Sequence, residues 1–297
     1  MVNISFFSYK GGAGRTSLLF NVLPFLAEKL HATVQEPIIV LDLDLDSKGL
    51  SYLINDNSKI NSIQVLRGDS SIGFSNGGNI NTHPFFSSLT AIGAKVGLPS
   101  DLDRSILCVT AHGIDGAMSL SEGNNYDGRN ISLSTLNKLC NKYNCKAIVM
   151  DTPAGNQISG TCALSISKKI VTVMRITQQF RKGTAEFLRV KSKDGEYIGK
   201  EYIIVPNAVP DTEGTTYRMD SIIENIKNTV QSVVGKNDRL NLTFLENGRK
   251  GINEVTLFKF REENLLKLSE LRPLSSDEQQ AVDMYKLLAG ELTDDHS

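Results

Sequence analysis

The stretch Ser8-Tyr9-Lys10-Gly11-Gly12-Ala13-Gly14-Arg15-Thr16-Ser17 constrains this chain more than any other. The apolar run Ile4 to Phe7 leads into it, and an apolar-periodic segment from Leu18 to Leu30 leads out. Strand, glycine-rich turn and helix in that order leave backbone N–H groups pointing into a concavity at the positive end of a helix dipole. A phosphate binds in such a place. Glycine is needed there because a side chain would block the phosphate and because some positions require a positive φ. Taken alone, the stretch also fits an ordinary strand-to-helix turn. Gly12-Ala13-Gly14 further resembles the opening of a dinucleotide fingerprint.

Two later segments bear on that choice. Pro37 opens the run Ile38-Ile39-Val40-Leu41, which ends in Asp42-Leu43-Asp44-Leu45-Asp46. A continuous apolar run of this length reads as a strand buried in a parallel sheet. Acids at its C-terminal end lie on the ligand side of an open α/β sheet. Alternation puts the three acids on one side of the strand, more than turn capping requires. Lys146-Ala147-Ile148-Val149-Met150-Asp151 repeats the design: a buried strand delivers one carboxylate, as the Walker B pattern does for a magnesium-bound water. A dinucleotide fold needs no such acid.

Together these motifs resemble the ParA/MinD family of ATPases. Lys10-Gly11-Gly12-Ala13-Gly14-Arg15-Thr16 resembles the family's deviant Walker A motif in the form with arginine in the P-loop, and Tyr9 stands where the strict P-loop has its first glycine. Asp42 and Asp44 match the Asp-x-Asp of the first switch segment, and Asp151-Thr152-Pro153-Ala154-Gly155 resembles the Asp-x-Pro-x-Gly second switch. In Asp46-Ser47-Lys48-Gly49-Leu50, Lys48 stands where the arginine-form branch often has proline.

The resemblance implies a doubly wound α/β fold with a mostly parallel sheet and helices on both faces. It covers most of the 297 residues, as a single P-loop ATPase domain with a turn-rich insertion at about 54–104. It also implies slow Mg-ATP hydrolysis coupled to dimerisation around the nucleotide. Backbone amides from Gly11 to Thr16, with Ser17, would hold the phosphates. Arg15 would supply the charge that lysine normally gives. Thr16 would ligate Mg2+, Asp151 would act on it through water, and Asp42 would support the metal shell. Asp44 would orient the attacking water and belong with them to the metal set. Lys10 would reach the partner subunit's nucleotide. Asn207, with Pro210 at the same strand exit, would contact the adenine ring. The implied protein is a switch: an ATP-bound homodimer that recruits a separate partner protein. A non-catalytic, ATP-gated assembly module is the alternative, because arginine is bulkier and less adaptable than lysine.

A formal net charge of −1 gives the chain as a whole no electrostatic case for nucleic acid or an anionic membrane. The basic stretch Arg181 to Lys193, with a helix expected over about Thr184 to Lys193, leaves DNA open as a partner and otherwise reads as a solvated helix face. The final helix, Ser275 to about Leu292, lacks the basic face with which MinD proteins hold a membrane. No signal-peptide pattern and no run of about 20 apolar residues is present, so a cytoplasmic protein is expected. Cys108, Cys140, Cys145 and Cys162 complete no zinc set and read as reduced thiols. Pro24, inside the first helix, is expected to kink it or cost a hydrogen bond.

Overall fold

A computed structural model describes residues 2–44, 46–53, 105–109, 111, 133–207, 216–234, 240–245 and 276–294. The expected insertion at 54–104 and Pro210 lie outside the described residues.

The element order is β1 (Val2–Phe7), α1 (Arg15–Lys29), β2 (Ile38–Asp42), α2 (Gly49–Leu53), β3 (Ile106–Val109), α3 (Leu133–Tyr143), β4 (Ala147–Asp151), α4 (Ile158–Ile166), β5 (Lys169–Met174), α5 (Gln178–Lys191), β6 (Glu201–Pro206), α6 (Thr216–Val234), β7 (Asn241–Phe244) and α7 (Ser276–Thr293). The strands form a seven-stranded sheet in the order β3-β2-β4-β1-β5-β6-β7, and every pairing is parallel. From β1 the chain moves toward one edge, and from β4 it moves toward the other. Right-handed crossovers then place the following helices on opposite faces, and the switch point lies between β1 and β4.

Parallel strands covered on both faces must be apolar on both. β2 and β4 are buried at every position. Their side chains alternate: Ile39, Leu41, Ile148 and Met150 pack with Leu136 and Cys140 of α3 and Ala163 of α4. Val40 and Val149 join the larger cluster containing Leu19, Leu23 and Leu26 of α1. α1 is flanked by α7, where Phe25 and Tyr285 stack with ring centroids 6.2 Å apart. Phe7 at the end of β1 stacks on Phe187 of α5 at 4.3 Å. α1 continues through Pro24, which is itself buried.

Two expectations need correction. The basic stretch does not begin its helix near Thr184: α5 starts at Gln178, capped by the extended residue Thr177, so Arg181 and Lys182 lie in its first turns. Cys140 and Cys145 are not separate thiols. The chain turns back where α3 ends, with Cys145 N–H donating to Cys140 C=O at 3.0 Å, and the Cα atoms come within 4.9 Å, joined as a disulfide. Cys108 and Cys162 are not joined in a disulfide and remain thiols, as expected.

The N-terminal edge of the sheet is locked by charge. Lys169, first in β5, is fully buried and reaches Glu201, its register partner in β6, at 3.0 Å. Its ammonium also donates to the carbonyls of Glu291 at 2.8 Å and of Asp294, capping the end of α7.

Candidate functional site

The sequence-derived residues converge at the opposite, C-terminal edge. Phe7 ends β1, and the glycine turn follows. Gly12 and Gly14 take φ values of +82° and +78°, which a side chain at either position would strain. A Cβ built on Gly11 or Gly12 meets nothing within 4 Å, so the outer turn faces open space. Gly14 caps α1. Arg15 and Thr16 are therefore the first residues of the helix, at its positive end.

Asp42 and Asp151 end neighbouring strands and are direct register partners. Both are fully buried. Asp42 accepts from Ser51 N–H at 2.9 Å, from Ser51 Oγ at 2.5 Å and from Asp44 N–H at 3.1 Å. Ser51 Oγ in turn accepts from Ala111 N–H at 2.7 Å, which ties α2 to the chain just beyond β3. Asp44 lies two residues past β2 and accepts from Ser47 N–H at 3.2 Å.

Arg15 enters this acidic group. Its Nε donates to Asp151 Oδ1 at 2.5 Å, and its Nη2 donates to Asp44 Oδ2 at 2.7 Å. Thr16 Oγ1 donates to the other Asp151 oxygen at 2.7 Å. Consecutive residues of α1 thus engage both oxygens of one carboxylate. Arg15 is 7% exposed. Burial works against its charge, yet Asp151 and Asp44 hold its proton more tightly than usual.

The acids feel the opposite stress. Burial, then the neighbouring Asp151, pushes the Asp42 carboxyl up to about 7. Burial also raises Asp151, against the pull of Arg15 and Thr16. Three carboxylates and one guanidinium make a hydrogen-bonded set with an excess of two negative charges when all ionise. A divalent cation would supply that balance. The donors are carboxylate and hydroxyl oxygens, the chemistry Mg2+ prefers. No group of three His, Cys, Asp or Glu side chains among the described residues is placed to hold a metal ion by itself. Mg2+ commonly keeps waters and shares its shell with substrate phosphates, so an open set of this kind suits it.

The remaining expected residues surround the turn. Asn207 follows β6 and is fully buried, with Nδ2 donating to Ala13 C=O at 2.7 Å and Oδ1 left without a partner among the described residues. That orphaned acceptor matches the amino group of an adenine, with the amide oriented by its hydrogen bond. Ser17 is exposed in the first turn of α1. Lys10 is exposed and donates to Gln179 Oε1 of α5 at 2.9 Å. Lys48 adopts φ +48°, a conformation closed to the proline of the family pattern, so this turn differs from that pattern in backbone as well as residue.

Sequence reasoning missed three contacts. Arg175 Nε donates to Gly12 C=O at 2.7 Å. Gly155, at φ +76°, donates its N–H to Ser8 C=O at 3.0 Å, joining the loop after β4 to the glycine turn. The ring of Tyr9 lies over Gly183 of α5, where a built Cβ would come within 2.1 Å of Tyr9 Cε1. Gly183 inside an otherwise helical pattern was the one available signal for the last of these.

Comparison with solved structures agrees with this layout. The septum site-determining protein MinD from Pyrococcus horikoshii OT3, solved with Mg-ADP, superposes with a TM-score of 0.58 at 17% identity, covering 99% of this chain and 96% of that one. A ParA family ATPase from Chlorobium tepidum TLS gives 0.56 at 13%, covering 96% and 97%. A substituted McdA from Cyanothece, solved with ATP, gives 0.58 at 13%, covering 98% and 96%. The fold is that of the MinD and ParA ATPases. No protein-family model and no curated protein matches the sequence. Among the described residues no helix is long and apolar enough to cross a membrane.

Proposed function

We propose that this chain is a ParA/MinD-like Mg-ATP-dependent switch, with slow ATP hydrolysis coupled to dimerisation and to recruitment of a partner protein. The observation that carries this reading is the convergence of Arg15, Thr16, Asp42, Asp44 and Asp151 beside an open glycine turn. The solved relatives support the ligand and the assembly: MinD with Mg-ADP, McdA with ATP, and a MinC:MinD complex from Aquifex aeolicus.

Backbone amides of Gly11 to Thr16 would bind the phosphates, and the Asn207 acceptor would meet the adenine amino group. Thr16 and Asp151, with Asp42 behind them, would hold Mg2+, which neutralises phosphate charge when bound. Asp44 would accept a proton from the attacking water and orient it. Lys10 is on the surface, where a second subunit's nucleotide can meet it. Its hydrogen bond to Gln179 must break first. A cation brought to the transferred phosphoryl group stabilises charge that develops in the transition state.

The experiment is molar mass in solution with and without Mg-ATP, on the native protein and on Lys10→Ala, with phosphate release measured in parallel. An ATP-dependent dimer lost in Lys10→Ala supports the switch. ATP binding without turnover in native protein or in Asp44→Ala would assign the non-catalytic module. A mass and a calorimetric trace indifferent to ATP would end the reading.

A further inference from the structure

The position of Arg15 conflicts with the role its motif implies. A P-loop cation serves phosphate, yet both engaged nitrogens of this guanidinium are on carboxylates. Asp151 has no free oxygen, because Arg15 holds one and Thr16 the other. Asp44 is shared between Arg15 and Ser47 N–H. Two of the carboxylates that would serve Mg2+, Asp44 and Asp151, are therefore paired with a cation belonging to the chain, and the Thr16 hydroxyl is turned onto Asp151.

We propose that Arg15 is a resident cation that closes the metal position until phosphate arrives. The inference rests on the nucleotide reading above and adds the order of events. Mg2+ alone must displace a buried, hydrogen-bonded guanidinium that has nowhere better to go. Leaving a buried charge without its partner is strongly unfavourable. A polyphosphate lying in the glycine turn changes that balance. Its oxygens are the one kind of acceptor that matches the arginine fork as well as a carboxylate does. Arg15 turns from Asp44 and Asp151 to the phosphates, and the two acids, with the Thr16 hydroxyl beside them, become open to Mg2+. Nucleotide and metal then bind with positive coupling, each raising affinity for the other by the same factor. Lysine in this position would act differently. A compact ammonium on a flexible stem cannot span Asp44 and Asp151 with two fixed donors.

The test uses the full chain without nucleotide and Mn2+ as the probe for Mg2+, read by electron paramagnetic resonance. Wild-type protein should bind Mn2+ weakly, and Arg15→Ala about tenfold or more tightly, because Asp44 and Asp151 lose their internal cation. Arg15→Lys should fall between. Equal affinities in wild type and Arg15→Ala would overturn the proposal. Should Arg15→Ala not fold, the wild-type Arg15 Nε–H resonance decides. It should stay in place when Mg2+ alone is added and move when Mg2+ and a non-hydrolysable ATP analogue are added together. A shift with Mg2+ alone would sink the idea. A protein that ignores the analogue while Arg15→Ala still gains Mn2+ affinity would refute the nucleotide reading and keep the closed metal position.

Discussion

Asp42→Asn separates the charge of the site from its shape. The Asp42 carboxyl is raised from 3.8 to about 7, first by burial and then by Asp151 beside it. A folded pKa above the unfolded one means that the native state keeps a proton which the unfolded chain has released. The stability from this proton is complete below about pH 4 and is lost as pH rises through about 7. A gap of about three pH units, at roughly 1.4 kcal/mol each, sets a ceiling of about 4 kcal/mol. Asparagine stays neutral throughout and does not incur this loss. It has its own cost: Ser51 donates twice to one oxygen and Asp44 N–H once to the other, and an amide can accept on one side alone. One mismatched buried donor costs about 2 kcal/mol. The variant should therefore be less stable than wild type by about 1 kcal/mol at pH 4.5 and more stable by about 2 kcal/mol at pH 8.5. Urea unfolding in EDTA across this range reads the difference, and groups titrating alike in both proteins cancel. A stability difference that does not change with pH would refute the reasoning.

Three further outcomes follow from other parts of the molecule. Lys169→Met leaves Glu201 and the end of α7 without their cation, and should lower stability by about 3 kcal/mol in urea melts while leaving ATP affinity unchanged, since it lies at the far edge of the sheet. Asn207→Ala removes both the tie to Ala13 C=O and the orphaned acceptor, so ATP affinity should fall about tenfold and preference for ATP over GTP should disappear in competition binding. Gly183→Ala should stabilise a Tyr9→Ala background by about 1 kcal/mol through helix propensity, but not wild type, where the new methyl displaces the ring; equal effects in a thermal double-mutant cycle would remove the contact from consideration.

The fold was legible because its strands are buried on both faces. Runs such as Ile38 to Leu41 and Ala147 to Met150 admit few other readings, and each ends in the acid that the site uses. The acidic group could also be assembled from the order of motifs along the chain. The partnership of Arg15 could not. A motif names the phosphate that arginine faces in a loaded site, and nothing in residue spacing says where the side chain rests without one. Tyr9 on Gly183 and Arg175 on Gly12 were hidden for a related reason. They join positions more than 160 residues apart in sequence through single contacts with no periodic signature. The Cys140–Cys145 disulfide depended on the sharp return after α3, which spacing alone does not distinguish from a continuing helix.

The pairing of Asp42 with Asp151 across β2 and β4 also bears on how such a protein can change. Parallel strands form a grid with fixed spacing, and a side chain's address on it is a strand and a rung. A deletion inside β2 would send Asp42 to the opposite face, however well the apolar residues were matched. A connection between strands can be lengthened or rewritten without moving either acid. Drift can therefore replace most residues of a chain like this one while every rung stays where it was.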